Sequence, residues 1–283
     1  MDHEKDQTMI CKDRDLVIIL MILALFIGAT IELSEGSTFA GIVLFAIAAI
    51  LITQIKLPVT NSFESSARYL ILGIFIIIAD IAYNLKKGST LGTLDTMTFF
   101  FGLSLMAYGT NRPQLKHIGI FGSYISGIFL PLYFVFYILF EKYSIEFIHL
   151  FDHYLILLPT VTIVNLFGIP LEIIATETVR LSGVEPMTIV IGGPCSGLYS
   201  MFLLIGIVVG YSRIEKMDLN KTLYLTIFVI LIAYISNLVR VIVLYTTAYL
   251  YGIDTMLMVH THIGWIIFAV VAGGIMYLMD IKR

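Results

Sequence analysis

Eight apolar stretches, each close to the length needed to cross a lipid bilayer, dominate this chain of 283 residues. A membrane-spanning helix needs about 20 mostly apolar residues, because it crosses about 30 Å of hydrocarbon. The stretches cover residues 16–32, 38–54, 67–85, 91–110, 117–140, 197–212, 222–249 and 258–280. Hydrophobic residues make up 59% of the chain and charged residues 13%, with a mean hydropathy of +0.96. The predicted fold is therefore an all-α, polytopic transmembrane helical bundle of about eight spans.

The distribution of lysine and arginine predicts how these helices are oriented. If the N-terminus is cytoplasmic, most of the 17 basic residues fall on the cytoplasmic side, and only Lys86, Lys87, Lys142 and Arg180 fall outside. This bias follows the positive-inside rule, although the Lys86-Lys87 pair runs against it. Eight spans then place both termini in the cytoplasm. The first apolar stretch is not followed by the small-residue cleavage site of a signal peptide, so it is predicted to be a retained helix.

The loop of residues 141–194 is much longer than the others and is predicted to be extracytoplasmic and structured. Its part from Tyr154 to Phe167 is apolar and is followed by the helix breaker Gly168-Ile169-Pro170, which is typical of a re-entrant or interfacial helix. Residues 179–191 alternate between apolar and polar side chains around Ser182-Gly183, which predicts a short hairpin. Long ordered loops of this kind often carry function.

A single cysteine lies where this loop meets the sixth span, in the sequence Gly192-Gly193-Pro194-Cys195-Ser196-Gly197. Unpaired backbone N–H groups and the helix dipole at a helix N-terminus favour the thiolate, which is the reactive form of cysteine. Cys195 is predicted to be a free thiol, because Cys11 is expected on the opposite side of the membrane. The alternative is a small apolar residue packed at a loop-to-helix junction.

An arginine and two histidines are expected at the same depth as the thiol. Arg240 lies inside the seventh span, where a charged side chain costs about 2.5–3.5 kcal/mol and marks a candidate functional residue. The alternative is a structural ion pair, for instance with Asp80 of the third span or with a loop carboxylate. Asn237 lies one helical turn earlier, on the same face. His260 and His262 lie where the eighth span begins, and only one of them is expected to face the thiol, because residues i and i+2 do not share a helix face. An interfacial position is the alternative for each histidine.

A thiol, a guanidinium and an imidazole at one depth predict an acyl-transfer site. Cys195 would attack a peptide carbonyl, and Arg240 would stabilise the charge of the thiolate and the oxyanion. His260 would protonate the leaving amine and later deprotonate the incoming nucleophile. We therefore predict a single integral-membrane domain, residues 1–283, with N-terminal helices in residues 1–140 and a catalytic half in residues 141–283.

Four motifs resemble the exosortase/archaeosortase family over about residues 155–280. They are Cys195-Ser196-Gly197-Leu198, Asn237-x-x-Arg240, His260-x-x-x-Gly264-Trp265 and, ahead of the thiol, Asn165-Leu166-Phe167-Gly168-Ile169-Pro170. The archaeosortase branch is preferred, because the chain lacks the appended domains of some bacterial relatives. The first four spans match this family only as generic apolar helices.

The resemblance implies a multi-pass cysteine protease or transpeptidase at the plasma membrane, with its active site at the extracytoplasmic face. Such an enzyme removes C-terminal sorting tails from secreted surface proteins and passes the protein to an acceptor thought to be a lipid. Carried over to this sequence, Cys195 is the nucleophile, Arg240 the electrostatic stabiliser and His260 the acid/base. The supporting residues are Ser196, Gly197, Asn237 and His262, and the second histidine leaves the assignment of the acid/base open.

Two other classes of function predict different sequence features. A transporter or channel would need ionisable groups near the bilayer midplane, whereas the polar candidates gather toward one face. A non-catalytic assembly protein would carry an inert, buried cysteine. The net charge of −3 makes nucleic acid an unlikely partner. No cofactor is predicted, and no metal is expected at His149-x-x-x-His153 with Asp152 nearby, because two histidines do not make a complete site.

Overall fold

The structure is a computed structural model, and it describes residues 43–44, 47, 67–87, 92–110, 113–191, 196–214 and 216–281. The predicted first span, residues 16–32, lies outside the described residues, and the second, residues 38–54, lies almost entirely outside them. Cys11 and Cys195 are also outside the described residues.

Apolar helices make up most of the described part and follow the predicted spans from the third onward. They are α1 (Ala67–Lys87), α2 (Thr93–Gly109), α3 (Pro113–Tyr133), π1 (Phe134–Leu139), α4 (Phe140–Lys142), α5 (Phe147–Phe151), π2 (Asp152–Leu157), α6 (Leu158–Leu166), α7 (Leu198–Ile214), α8 (Leu219–Tyr251) and α9 (Ile253–Ile281). Helix α3 continues through the π-helical segment π1 into α4, and α5, π2 and α6 together form one further helix.

Five helices of the described ranges are long and apolar enough to cross a membrane. They are Ala67–Lys86, Ile118–Lys142, Phe147–Leu166, Leu219–Tyr251 and Ile253–Ile275, and a shorter apolar helix covers Leu198–Arg213. This agrees with a polytopic helical membrane protein, while the predicted total of eight spans stays a prediction.

The helices pack in a series of neighbours: α1 on α2, α2 on α3, α3 on α7, α7 on α8 and α8 on α9. Small residues allow the close approaches, since a Cβ atom added to Gly206 of α7 would lie 2.8 Å from the Cα of Ile125 in α3. Side chains of α3, α7, α8 and α9 form one buried cluster, which includes Ile125, Phe129 and Ile207.

The loop before α7 folds into a helix and a three-stranded antiparallel sheet. The strands are β1 (Leu171–Ala175), β2 (Thr178–Ser182) and β3 (Pro186–Val190), in the order β1-β2-β3. The predicted hairpin is confirmed, with Arg180 paired to Thr188. The predicted all-α fold class does not include this sheet, and the sequence analysis did not predict a strand at β1. A segment of five residues directly after a helix is too short to show a decisive alternation of apolar and polar side chains. Strand β1 is therefore recognised only by its pairing with β2.

A second buried cluster joins the sheet to the C-terminal end of α8. Leu171, Val179 and Leu181 of the sheet pack with Ile156 and Val164 of the loop helix. The same cluster contains Val241, Leu244, Tyr245 and Ala248 of α8. The loop helix is also tied to α8 by a hydrogen bond from the Tyr234 hydroxyl to the Leu155 carbonyl, at 2.7 Å. In a regular α-helix the Leu155 carbonyl would accept a hydrogen bond from the N–H of residue 159, but Pro159 has no N–H. The Tyr234 hydroxyl supplies the donor instead.

Each turn of the sheet is anchored to a helix. At the β1–β2 turn, His149 Nδ1 lies 2.5 Å from Glu177 Oε1, and His153 Nδ1 lies 2.6 Å from the Thr176 carbonyl. At the β2–β3 turn, the Val184 N–H donates to the Tyr249 carbonyl over 3.1 Å. After β3, the Ile191 N–H donates to the Glu177 carbonyl over 2.8 Å. The sheet therefore holds the chain in place four residues before Cys195.

Candidate active site

The two residues that follow Cys195 are buried at the start of α7. Ser196 is fully buried, and its hydroxyl accepts a hydrogen bond from the Leu198 N–H at 3.3 Å. Gly197 has a φ of +79°, a conformation that side-chain-bearing residues rarely adopt. The Gly197 carbonyl accepts the Met201 N–H at 3.1 Å, as in the first turn of a helix. The helix thus begins at Leu198, one residue after the predicted start of the sixth span at residue 197, while Cys195 itself lies outside the described residues.

Gly197, directly before α7, contacts Asn237 of α8. A Cβ atom added to Gly197 would lie 2.6 Å from Asn237 Cγ and 2.8 Å from Nδ2, closer than any side chain tolerates. Asn237 is buried. Its carboxamide therefore lies directly against the backbone two residues after the predicted nucleophile, which requires glycine at this position.

Arg240 lies one turn further along α8 and contacts α9. A Cβ atom added to Gly264 would lie 3.1 Å from both Cζ and Nη2 of Arg240, so the guanidinium packs on the bare backbone of this glycine. His260 lies four residues before Gly264, on the same face of α9. The face that carries His260 is therefore the face that meets Arg240.

The two histidines of α9 differ in their surroundings. His260 is partly buried, whereas His262 is exposed. His262 Nδ1 lies 2.8 Å from the Met258 carbonyl, one turn back along its own helix. The geometry thus favours His260 as the histidine that shares a site with Arg240.

An aromatic cluster, missed by sequence reasoning, lies beside Ser196. The rings of Tyr133, Tyr137 and Tyr199 pack together, with centroids 4.9 Å apart for Tyr133 and Tyr137 and 5.0 Å apart for Tyr137 and Tyr199. The Tyr137 hydroxyl lies close to Ser196 and Tyr199, without the geometry of a full hydrogen bond among the described residues. Tyr137 belongs to π1, and π-helical segments frequently occur at functional sites.

Asp152 is a buried acidic residue of the loop helix, and the sequence analysis assigned it no catalytic role. It is fully buried at the start of π2. The sequence does contain a signal for Asp152, namely an acidic residue within an otherwise apolar helix. Its neighbours His149 and His153 contact the β1–β2 turn, and the described ranges contain no group of three or more residues suited to hold a metal ion.

The fold and these contacts define a polytopic helical membrane protein with polar side chains gathered where α7, α8 and α9 meet. Comparison with protein families finds a match to the model for transmembrane exosortases over residues 33–277. The chain therefore belongs to the transmembrane exosortase family, as its motifs predict. No curated protein and no solved structure was found to match the chain.

Membership in this family indicates a functional class. Exosortases are membrane cysteine peptidases or transpeptidases that act on the C-terminal sorting signals of proteins. Membership supports an enzyme of the sorting-signal processing kind, embedded in a membrane by several helices. The family match does not distinguish an archaeosortase from other members, so that preference stays a prediction.

Proposed function

We propose that this protein is a cysteine transpeptidase that cleaves the C-terminal sorting signals of secreted surface proteins and transfers each protein to a lipid acceptor. Its catalytic residues are Cys195, Arg240 and His260. One observation carries this proposal: Arg240 packs on Gly264, one turn from His260, and Asn237, one turn from Arg240, packs on Gly197. Polar residues of α8 thus contact both α9 and the backbone of Gly197, which lies two residues after the predicted nucleophile in the sequence.

In the first half-reaction, the Cys195 thiolate attacks the carbonyl carbon of the scissile peptide bond. The negative charge moves to the carbonyl oxygen, where the Arg240 guanidinium and the Asn237 amide donate hydrogen bonds. The carbon–nitrogen bond then breaks, and protonated His260 gives its proton to the leaving amine. The products are a thioester on Cys195 and the released tail.

In the second half-reaction, the acceptor attacks the thioester carbonyl. Neutral His260 takes the proton of the acceptor nucleophile, the carbon–sulfur bond breaks and the Cys195 thiolate returns. The same oxygen bears negative charge in both steps, so Arg240 and Asn237 stabilise both transition states.

We place the site at the extracytoplasmic face of the plasma membrane, with both termini in the cytoplasm. The sheet supports this, because open sheet edges and an exposed pair such as Glu172 and Arg180 are not stable in hydrocarbon. The sheet packs against the C-terminal third of α8, while Arg213, Lys216 and Lys221 flank its N-terminal end, as expected for a cytoplasmic connection. On this view the helix Phe147–Leu166 lies with the sheet at the interface, although its length would suffice to span.

The test is the processing of a secreted protein that carries a sorting tail, in cells that express variants of the enzyme. Cys195→Ala should abolish processing, because no thioester can form. Arg240→Ala and His260→Ala should each reduce processing by at least about a hundredfold, the loss typical of an oxyanion donor or a general acid. Enzyme abundance, followed by immunoblot, should stay unchanged.

His262→Ala is the matched control, since it removes an exposed imidazole two residues away. We expect it to process the substrate at close to the wild-type rate. Normal tail removal by Cys195→Ala would overturn the proposal, and a loss with His262→Ala but not with His260→Ala would reassign the acid/base.

A further inference from the structure

The two outer strands of the sheet each have one edge that β2 does not pair, because the strand order is β1-β2-β3. Such an edge carries backbone N–H and C=O groups that can pair with a further extended chain. Proteins usually block these edges with charges, bulges or covering segments, since an open edge invites unwanted pairing. An edge that is left open is therefore a candidate binding site for an extended peptide.

The edge of β1 is blocked. The Leu171 N–H donates to Asn165 Oδ1 at 2.8 Å, and Asn165 Nδ2 donates to the Leu171 carbonyl at 3.3 Å. The carboxamide of Asn165 thus takes the place of a pairing strand at this residue. A register shift between Ile173 and Ala175 and the charged side chain of Glu172 add two common protections of edge strands.

The pairing of β3 with β2 shows which backbone groups of β3 face its other edge. The Ile191 N–H donates to the Glu177 carbonyl at 2.8 Å, and this pair continues the register of the two strands. Hydrogen-bonded and non-hydrogen-bonded pairs alternate along an antiparallel ladder, so every second residue of β3, counted back from Ile191, bonds to β2. Thr188 and Val190 hold the positions in between. Their N–H and C=O groups therefore point away from β2.

This second edge is open in the part of the chain that the structure describes. Apart from the strand pairing, no hydrogen bond reaches the backbone of Thr188 or Val190 from a described residue, and both residues are exposed. Strand β3 has no charged residue and no register shift. Its first residue, Pro186, lacks an N–H, so the open edge consists of Thr188 and Val190.

The open edge leads directly to the proposed nucleophile. Val190 lies five residues before Cys195, a distance of at most about 18 Å along an extended chain. We infer that the sorting signal binds here as a fourth strand: the extended segment next to its scissile bond pairs with β3 through the N–H and C=O groups of Thr188 and Val190. This inference rests on the proposed transpeptidase function and names the way in which the peptide substrate of that function is recognised.

Strand pairing gives the substrate a recognisable signature. Main-chain hydrogen bonds recognise an extended backbone with little regard to its side chains. Alternate residues of a paired peptide direct their N–H groups to β3, and the residues between them direct theirs away. The N–H groups that matter for binding should therefore recur at every second residue of the peptide.

The first experiment places single N-methyl groups along a synthetic peptide that covers the cleaved segment of the tailed substrate used in the processing assay. Purified full-length enzyme in detergent cleaves each peptide. An N-methyl group on an amide that faces β3 removes a hydrogen bond and crowds the strand, so KM should rise by about tenfold with little change in kcat. On the residues between, KM should stay within about twofold of the unmodified peptide.

The second experiment removes one donor from the open edge. Thr188→Pro deletes an N–H that takes no part in pairing with β2, and proline is tolerated at such edge positions. We expect KM to rise by about three- to tenfold at unchanged kcat, the loss of one main-chain hydrogen bond. Ile173→Pro is the control: Ile173 lies two residues after Leu171, so its N–H also points away from β2, but at the blocked edge of β1. It should leave KM unchanged.

Thermal unfolding of both proline variants checks that they are folded, and the N-methyl series on wild-type enzyme tests the inference without any variant. Three outcomes would overturn it: an N-methyl series with no period of two, equal KM values for Thr188→Pro and Ile173→Pro, or an unchanged KM together with loss of a homodimer in Thr188→Pro. The last outcome, measured by light scattering, would assign the open edge to a second copy of the chain.

Failure of the proposed function would look different. Wild-type enzyme would then leave the unmodified peptide uncleaved, or Cys195→Ala would cleave it as well as the wild type.

Discussion

The site depends on two glycines whose missing side chains allow polar groups to approach the backbone. Gly264 leaves room for the Arg240 guanidinium, and Gly197 leaves room for the Asn237 amide. These contacts explain why the motifs contain glycine four residues after His260 and two residues after Cys195. At the residue scale, adding one methyl group at either position is therefore an informative change.

Gly264→Ala should impair processing without destabilising the helix. The added methyl group would lie 3.1 Å from the Arg240 Cζ, so the guanidinium must shift by a few tenths of an ångström. Because oxyanion stabilisation depends on precise donor positions, we expect processing to fall by about tenfold. Gly273→Ala is the control, as nothing lies within 4 Å of its added methyl group. Both changes raise helix propensity, so equal activity of the two variants would contradict a positional role for Gly264.

Gly197→Ala and Gly168→Ala separate backbone strain from the contact with Asn237. The two glycines have φ values of +79° and +81°, so alanine costs about 1–2 kcal/mol in the free energy of unfolding at either position. Only at Gly197 would the new methyl group also meet Asn237, because nothing lies within 4 Å at Gly168. We expect Gly168→Ala to lose stability and keep processing, and Gly197→Ala to lose more stability and most processing. Denaturant unfolding and the processing assay together check this, and indistinguishable variants would argue against the contact.

At the scale of elements, the three-stranded sheet joins the loop helix to the α8–α9 connection. The β1–β2 turn binds His149 and His153, and the β2–β3 turn reaches the first residue of α9, where Glu185 Oε1 accepts the Ile253 N–H at 3.0 Å. A carboxylate at a helix N-terminus also interacts favourably with the helix dipole. The sheet therefore helps to orient α9, the helix that carries His260.

Glu185→Ala should loosen the start of α9. The substitution leaves the Ile253 N–H without its acceptor, which costs about 1 kcal/mol in the free energy of unfolding. Amide hydrogen exchange should become faster in residues 253–256. Glu172→Ala is the control, because Glu172 forms an exposed ion pair with Arg180 at 3.3 Å, and such pairs contribute about 0–1 kcal/mol. Unchanged exchange in Glu185→Ala would show that the turn does not support α9.

At the scale of the whole molecule, polar and apolar parts are segregated along α8. Its C-terminal third packs with the sheet, and basic residues border its N-terminal end. Since α8 spans 33 residues, about 50 Å at 1.5 Å per residue, it is long enough to place its two ends on opposite sides of a bilayer. The sheet and the α7–α8 connection are therefore expected in different compartments.

Cysteine labelling in intact cells tests this arrangement. In a background with Cys11→Ser and Cys195→Ser, Thr188→Cys on the exposed face of β3 should react with a membrane-impermeant thiol reagent. Asp218→Cys in the α7–α8 connection should react only after the cells are made permeable. The reverse pattern would place the site on the cytoplasmic side and contradict the proposed orientation.

Much of this protein was predictable because the physics of membrane insertion acts locally. The length of an apolar stretch and the cost of an arginine within it can be read from neighbouring residues, which identified α8, α9 and Arg240. The hairpin of β2 and β3 was also predictable, since its alternation and its turn lie within a dozen residues. Strand β1 was not, because it is defined by pairing with β2 rather than by its own pattern.

By itself, then, the sequence determined a helical membrane protein of the exosortase family and predicted a thiol, a guanidinium and an imidazole for its site. Tertiary structure alone decided which groups approach one another: Arg240 on Gly264 and Asn237 on Gly197. Those approaches depend on helix packing between residues far apart in the chain, and no local pattern encodes a distance across such a contact.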